Sequence, residues 1–192
     1  MCRDSFDVII LAGGRSSRFG TDKCEFEIDG KTMLRRISEK FESPIIVTDK
    51  PRPVEGIHVI DSHKSGPLKA IEMGLEYVKE KRVFVTGCDF PFLSPKLVQN
   101  LCSKPEEVAT TMYDGKIQPL LSCYSTNFLR SSIRRSRSLR EIVYKAPSVY
   151  IAGYMEVYMW DPSLLTLLNV NRVSDLRDVK KSYWQTSICS NT

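Results

Sequence analysis

The chain has 192 residues, 42% hydrophobic and 27% charged, with 28 Lys and Arg against 23 Asp and Glu for a net charge of +5. That length suits one domain with a real core, and apolar runs such as "VIIL" and "IIV" are far too short to span a membrane. The modest positive balance suits an anionic small molecule, and basic residues that are not interleaved with aromatics argue against a nucleic-acid platform.

The opening "MCRDSFD" lacks the basic region, apolar stretch and cleavage site of a secretory signal, so the chain reads as cytoplasmic. A strand is expected at "DVIILA", then a glycine loop, "GGRSSRFGTDK", and an extended "CEFEID" ended by Gly30. A helix over "TMLRRISEKFE" follows, with Met33, Leu34, Ile37 and Phe41 on one face. Next come strands at "PIIVT" and "IHVID", and a helix over "PLKAIEMGLEYVKEK" opened by Pro67, whose missing N–H costs nothing in a first turn. "RVFVTG" is a strand, "CDFPFLSP" a turn, and a helix begins near Pro95.

From Val108 the pattern changes. "VATTM" and "IQPLLSCY" are expected to pair through "YDGK", followed by an arginine-rich helix, "NFLRSSIRRSRSLREIV", and an extended "SVYIAGYMEVYM". "NVNRVSDLRDVKKS" reads as a strand end and a helix, with a frayed tail from about residue 185 to 192. Short apolar strands alternating with amphipathic helices give the fold class: α/β, a single-domain Rossmann-like sandwich over residues 1–192, with a mostly parallel central sheet and helices on both faces.

The six cysteines, Cys2, Cys24, Cys88, Cys102, Cys123 and Cys189, contain no C-x-x-C pair, and only His58 and His63 are available to complete a metal site. This argues against structural zinc. Such cysteines are expected as small buried hydrophobes, with disulfides left open for a source that lives in extreme heat.

Ligands of open α/β sheets sit at the carboxyl ends of strands, which is where the glycine loop lies. It matches neither G-x-x-x-x-G-K-[ST] nor G-x-G-x-x-G. Gly13 and Gly14 nevertheless permit the positive φ angles of an anion-binding nest, and Arg15, Arg18 and Lys23 add positive charge. Asp89 follows a buried strand and is pinned by Pro91, well placed for Mg²⁺. Asp61 ends another strand, and Gly66, Pro67 and Leu68 start a helix whose amides point back to the same edge. Asn171 is a candidate for lending an amide oxygen to the metal. Each has an ordinary structural reading as a turn or cap. Arg130, Arg134, Arg135, Arg137 and Arg140 read as a solvated helix face or a surface for an anionic substrate or carrier.

Taken in order, "LAGGRSSRFGTDK", "DSHKSGPLKAI", "TGCDFPFL", "QPLLSCY" and "NVNRVSDL" resemble the molybdenum cofactor guanylyltransferase family, whose signature is LAGG-x-S-x-R-M-G-x-D-K. The resemblance covers nearly the whole chain, weakest between Tyr124 and Leu168. It implies that Leu11, Ala12 and Gly13 hold GTP through their backbone, that Lys23 contacts its phosphates and that Asp61 binds the nucleoside end. It further implies that Asp89 binds nucleotide and Mg²⁺, and Arg18 and Asn171 match signature positions. The implied reaction joins GMP from GTP to the terminal phosphate of Mo-molybdopterin, with a cofactor carrier or acceptor enzyme as a further partner. Sister activities with CTP, or with GTP and a cobinamide or phospholactate acceptor, remain open, as does a non-catalytic GTP-binding protein. Two departures, Phe19 for methionine and "GKT" for G-K-P, touch no implied contact.

Overall fold

The computed structural model describes residues 5–13 and 22–176. The first apolar run forms β1, Phe6–Leu11, with β-partners on both sides. Ile9 and Ile10 are both fully buried although they point to opposite faces of the sheet. A strand covered on both faces needs no polar alternation, which is why this run reads as continuously apolar. After a 3₁₀ turn at Lys23–Glu25 come a small hairpin, β2 (Glu27–Ile28) and β3 (Lys31–Thr32), and α1, Met33–Ser38. β4 (Ile45–Thr48), β5 (Ile57–Ile60), α2 (Pro67–Leu75), β6 (Arg82–Gly87) and α3 (Pro95–Cys102) complete the first half.

The second half holds β7 (Val108–Tyr113), β8 (Lys116–Ser125), α4 (Thr126–Ile133), α5 (Leu139–Tyr144), β9 (Val149–Ala152) and α6 (Tyr154–Trp160). The main sheet runs β5-β4-β1-β6-β8-β7-β9. All its pairings are parallel except those of β8, which lies antiparallel between β6 and β7. β7 and β8 pair through Asp114 and Gly115, as expected, and both turn residues have positive φ, 49° and 67°. Two consecutive positive φ values make a type I′ turn, whose twist matches the flanking strands.

Helices cover both faces. On one, Leu34, Ile37, Leu97, Leu101 and Val157 pack on Ile10, Phe84 and Cys123. On the other, Ile71, Leu75, Leu129 and Ile142 pack on Ile9, Val85 and Tyr124. The chain builds β1, β4 and β5 outward in one direction, then returns through α2 to place β6 on the other side of β1. The carboxyl end of β1 is therefore a topological switch point, where open α/β sheets leave a crevice.

Several expectations are corrected. The arginine-rich helix is two helices, broken where the Ser138 hydroxyl accepts from Glu141 N at 3.2 Å and starts α5 afresh. "SVYIAGYMEVYM" is extended only to Ala152; the Glu156 carboxylate accepts from Gly153 N at 3.2 Å and initiates α6. α2 stops at Leu75, and the Arg130 guanidinium donates to the carbonyls of Leu75 (2.8 Å) and Val78 (3.0 Å) at and just after the helix end. α1 likewise ends early, at Ser38. "CEFEID" opens with a 3₁₀ turn, and Asn171 lies in an irregular stretch rather than at a strand end, followed by a 3₁₀ turn at Val173–Leu176. The expected frayed tail lies outside the described residues.

The four cysteines among the described residues are buried, as expected of small hydrophobes, and they also pair. Cys24 is bonded to Cys88 and Cys102 to Cys123, with Cα atoms 5.6 and 5.2 Å apart. The first bond joins the 3₁₀ turn to the residue after β6, and the second joins α3 to β8.

Candidate active site

Three residues from distant parts of the sequence meet at the carboxyl edge of the parallel strands. Lys23 Nζ donates to Asp89 Oδ2 at 3.2 Å and to Asn171 Oδ1 at 3.2 Å. The Lys23 and Asp89 side chains are 19% and 15% exposed, shielded but within reach of a ligand. Asp89 is placed by the backbone around it: Cys88 N donates to Leu11 O at 3.0 Å and Val170 N to Asp89 O at 2.8 Å. The second of these also carries Asn171 to the site.

Gly87 was not among the sequence candidates, yet it decides where the Asp89 carboxylate lies. A Cβ on Gly87 would stand 2.2 Å from Asp89 Oδ1, so the side chain folds back over a backbone that only glycine leaves clear. Leu120, midway along β8, flanks the same position at 3.8 Å. "QPLLSCY" thus reaches this edge through its first residues, because β8 runs antiparallel.

Beside the triad a cavity of about 340 Å³ is lined by Leu11, Gly13, Val47, Thr48, Asp61 and Lys64, with Gly66 and Pro67 at the start of α2. Five candidates from the first half, Leu11, Gly13, Asp61, Gly66 and Pro67, therefore share one pocket. Ala12 lies behind it: its N–H donates to Val47 O at 2.7 Å, and its carbonyl accepts from Arg52 at 3.3 Å. Asp61 is buried and accepts from Ser65 N and Oγ, both at 2.9 Å, which closes the turn into α2. Leu68 packs on the core rather than lining the cavity. Gly13 does not take the positive φ expected of a nest; continued pairing to β4 through Ala12 holds the chain in line. Gly14, Arg15 and Arg18 lie outside the described residues.

The sequence of a MobA-like NTP transferase domain matches residues 8–148. The chain belongs to that family. It is accordingly a nucleotidyltransferase. A relative from Thermococcus sibiricus, named a probable molybdenum cofactor guanylyltransferase, is 30% identical across 90% of this chain and 96% of its own. One from Desulfosudis oleivorans, named a molybdenum cofactor guanylyltransferase, is 27% identical across 90% of this chain and 93% of its own. Among solved structures, molybdopterin-guanine dinucleotide biosynthesis protein A from Archaeoglobus fulgidus superposes with a TM-score of 0.72, 22% identity, and 97% and 100% of the two chains covered. That likeness shows the fold.

Behind the triad of this transferase is a cation that the sequence reading missed. The Arg52 side chain is 2% exposed and donates to Asp22 Oδ2 (2.7 Å), Glu25 Oε1 (2.8 Å), Asp49 Oδ1 (3.0 Å), Thr48 Oγ1 (3.1 Å) and the Ala12 carbonyl. Burial opposes its charge, but its bonds to Asp22 and Asp49 outweigh that and raise the guanidinium above its ordinary value. Burial also pushes Asp49 up, and the bonds it accepts from Lys64 and Arg52 prevail and hold its carboxyl below the usual range. Asp22 caps the turn that presents Lys23, accepting from Cys24 N at 3.2 Å. Arg52 therefore grips Ala12 before the glycine loop and Asp22 after it.

Lys40 does similar work behind Asp89, donating to the carbonyls of Pro91 (3.3 Å) and Leu93 (2.7 Å). Burial, with the Arg36 charge nearby, pulls its ammonium down to about 8. Nothing in "PRP" or "EKF" marks these residues in a sequence, since their roles come from strands that meet only on folding.

Of the arginine cluster, Arg130 and Arg134 tie α4 to the α2 region, Arg134 through Glu72. Arg135, Arg137 and Arg140 are exposed. His58 bonds to the Val54 carbonyl at 2.8 Å and His63 is exposed, so neither joins the site. Among the described residues no three His, Cys, Asp or Glu side chains gather as a metal cage, and no helix is long and apolar enough to cross a membrane.

Proposed function

We propose that the protein transfers GMP from GTP to the terminal phosphate of Mo-molybdopterin, releasing pyrophosphate and forming the guanine dinucleotide of the cofactor. The observation that carries this reading is the Lys23–Asp89–Asn171 cluster at the switch point, beside a cavity of nucleoside size, in a chain whose relatives bear the guanylyltransferase name.

The acceptor phosphate is already anionic, so the reaction needs no general base. One of its oxygens forms a bond to the α-phosphorus of GTP as the bond to the bridging oxygen of the β-phosphate breaks, and the electron pair leaves with pyrophosphate. The task of the protein is to hold two polyanions in line and to stabilise charge moving onto the leaving group. Lys23 contacts the phosphates and meets that charge. The cavity between the ends of β1 and β5 and the start of α2 receives the nucleoside, with Asp61 at its wall. Arg18 belongs to the glycine loop and adds a second cation.

The residues present fit Mg²⁺. Asp89 and Asn171 direct oxygens at one cation, the Lys23 ammonium, and a site with one carboxylate and an amide oxygen suits an ion that keeps water and substrate phosphate in its shell. Bound there by Asp89 and Asn171, Mg²⁺ would supply charge neutralisation between the phosphates. A single catalytic domain over residues 1–192, a cytoplasmic setting and delivery by a cofactor carrier accompany this reading.

The test supplies α-labelled GTP or α-labelled CTP with Mg²⁺ and molybdenum-loaded molybdopterin, and follows label into the pterin together with pyrophosphate. Transfer from GTP alone is the expected result. Transfer from CTP changes the nucleotide, and bound GTP with no transfer removes the acceptor.

A further inference from the structure

The two disulfides differ in what stands beside them. Cys24 follows Lys23 in the chain and Cys88 precedes Asp89, so one covalent bond ties together the segments whose side chains meet at 3.2 Å. Cys102–Cys123 joins α3 to β8, and neither cysteine adjoins a residue of the cluster.

The two segments joined by Cys24–Cys88 are unequal in support. Asp89 leaves β6, the strand paired to β1 along its whole length; its neighbours Cys88 and Phe90 donate to Leu11 O and Gly87 O, and its own carbonyl accepts from Val170 N. Lys23 stands in a three-residue 3₁₀ turn outside the main sheet, with only two-residue strands following. The backbone of that turn has bonds between Glu25 N and Asp22 O and between Phe26 N and Lys23 O, and outside the turn Arg52 holds the Asp22 and Glu25 side chains while Met33 N donates to Phe26 O. The disulfide carries the rigidity of β6 across to it.

We propose that Cys24 and Cys88 are positioning residues for the nucleotidyl transfer: their bond fixes the Lys23 turn against Asp89, and breaking it lowers turnover without unfolding the protein. This rests on Lys23 and Asp89 serving the reaction as argued above. A small dithiol breaks the bond by thiol–disulfide exchange. It gives two electrons and two protons, Cys24 and Cys88 become thiols, and the dithiol becomes its own disulfide. The reduced pair has a place in the fold, because Cys24 Sγ lies 3.4 Å from the Ala12 carbonyl, a ready acceptor for an S–H group. Both cysteines are at most 5% exposed, so exchange is slow and calls for excess dithiol and warming.

A displacement on the order of 1 Å at a reacting group is enough for a large rate loss. Protein purified without reductant is compared with the same protein treated with dithiothreitol, with Cys24→Ser/Cys88→Ala, and with Cys102→Ser/Cys123→Ala. Non-reducing peptide mapping is expected to find Cys24 linked to Cys88. Reduction, or the Cys24→Ser/Cys88→Ala change, is expected to lower kcat roughly tenfold, with GTP binding changed less than about threefold. Amide exchange over residues 22–26 should quicken in the same samples, and reoxidation of the wild type should reverse both effects. The Cys102→Ser/Cys123→Ala protein should keep wild-type turnover and its sensitivity to dithiothreitol.

Alkylation of both Cys24 and Cys88 in the unreduced protein overturns the proposal. So does unchanged exchange over residues 22–26 once the bond is gone, whatever the activity. An oxidised protein that binds GTP but transfers nothing to the pterin sinks the functional reading instead, and the exchange measurement still decides on the clamp.

Discussion

The two halves of the sheet have comparable cores but use their charged residues differently. In the first, β5-β4-β1-β6, charges converge behind the strand ends: Lys23 on Asp89, and Arg52 on Asp22, Glu25 and Asp49. In the second, β8-β7-β9 and its helices, they lie mainly on the outside, where Arg134 meets Glu72 and Lys145 meets Glu141. Exposed ion pairs contribute little to stability, whereas Lys23 and Arg52 are shielded at a switch point, where open α/β sheets leave a crevice. The contrast teaches that charge content says less than where strand ends gather it. In the second half Arg135, Arg137 and Arg140 stay exposed instead of gathering at a strand end.

Mutations can test how sharp that contrast is. The largest effect is expected at the cluster: Lys23→Ala and Asp89→Ala should each lower kcat about 10²–10³-fold, the usual cost of one preorganised polar group at a reacting centre, with thermal unfolding near wild type. Turnover close to normal in either variant would take that residue out of the mechanism. Arg52→Met should come next, removing hydrogen bonds to three carboxylates and one of the donors to the Ala12 carbonyl, at a cost of about 3 kcal/mol. Urea unfolding measures it, and Arg52→Lys should recover only part because one ammonium cannot span five acceptors.

Gly87→Ala should act on activity alone. The new Cβ pushes the Asp89 carboxylate off Lys23, and roughly a tenfold fall in kcat is expected, with pyrophosphate release as the readout. In the other half, Arg140→Ala should change kcat less than about twofold, since surface substitutions away from special features have small effects. A large loss there would mean that the arginine-rich helices meet the acceptor.

The smallest effect is in pH dependence. Asp49 is held below its ordinary value in the folded protein, so its contribution to stability is full above the unfolded carboxylate range, about 4. It is lost as pH falls through the lower folded value, because the unfolded chain takes up a proton first. The stability advantage of wild type over Asp49→Asn should therefore shrink between pH 5 and pH 3 in urea titrations.

Most of the first half was legible because its signals are local. An apolar run bounded by glycine, or a proline opening a helix, needs no partner to be recognised, and β1, β6 and α2 begin where such signals put them. Lys23, Asp89 and Asn171 were legible as single residues at strand or loop ends, but their meeting at one ammonium was not. Arg52 was missed because its five acceptors come from separated segments. The disulfides were left open for the same reason, because Cys24 and Cys88, like Cys102 and Cys123, sit on segments that meet only on folding. The break between α4 and α5, and the start of α6, turned on the caps Ser138 and Glu156, which hydrophobic spacing overlooks.

The cluster also says something about when the protein becomes competent. Lys23 and Asp89 are 66 positions apart, and Lys23 and Asn171 are 148 apart. A chain emerging from the ribosome has made every strand of the main sheet once Ala152 is out, yet it still lacks the amide that completes the corner. Contacts of such long sequence separation are slow to form. Activity during refolding should therefore trail the recovery of β-structure, and the enzyme becomes its own reporter of the last segment to dock.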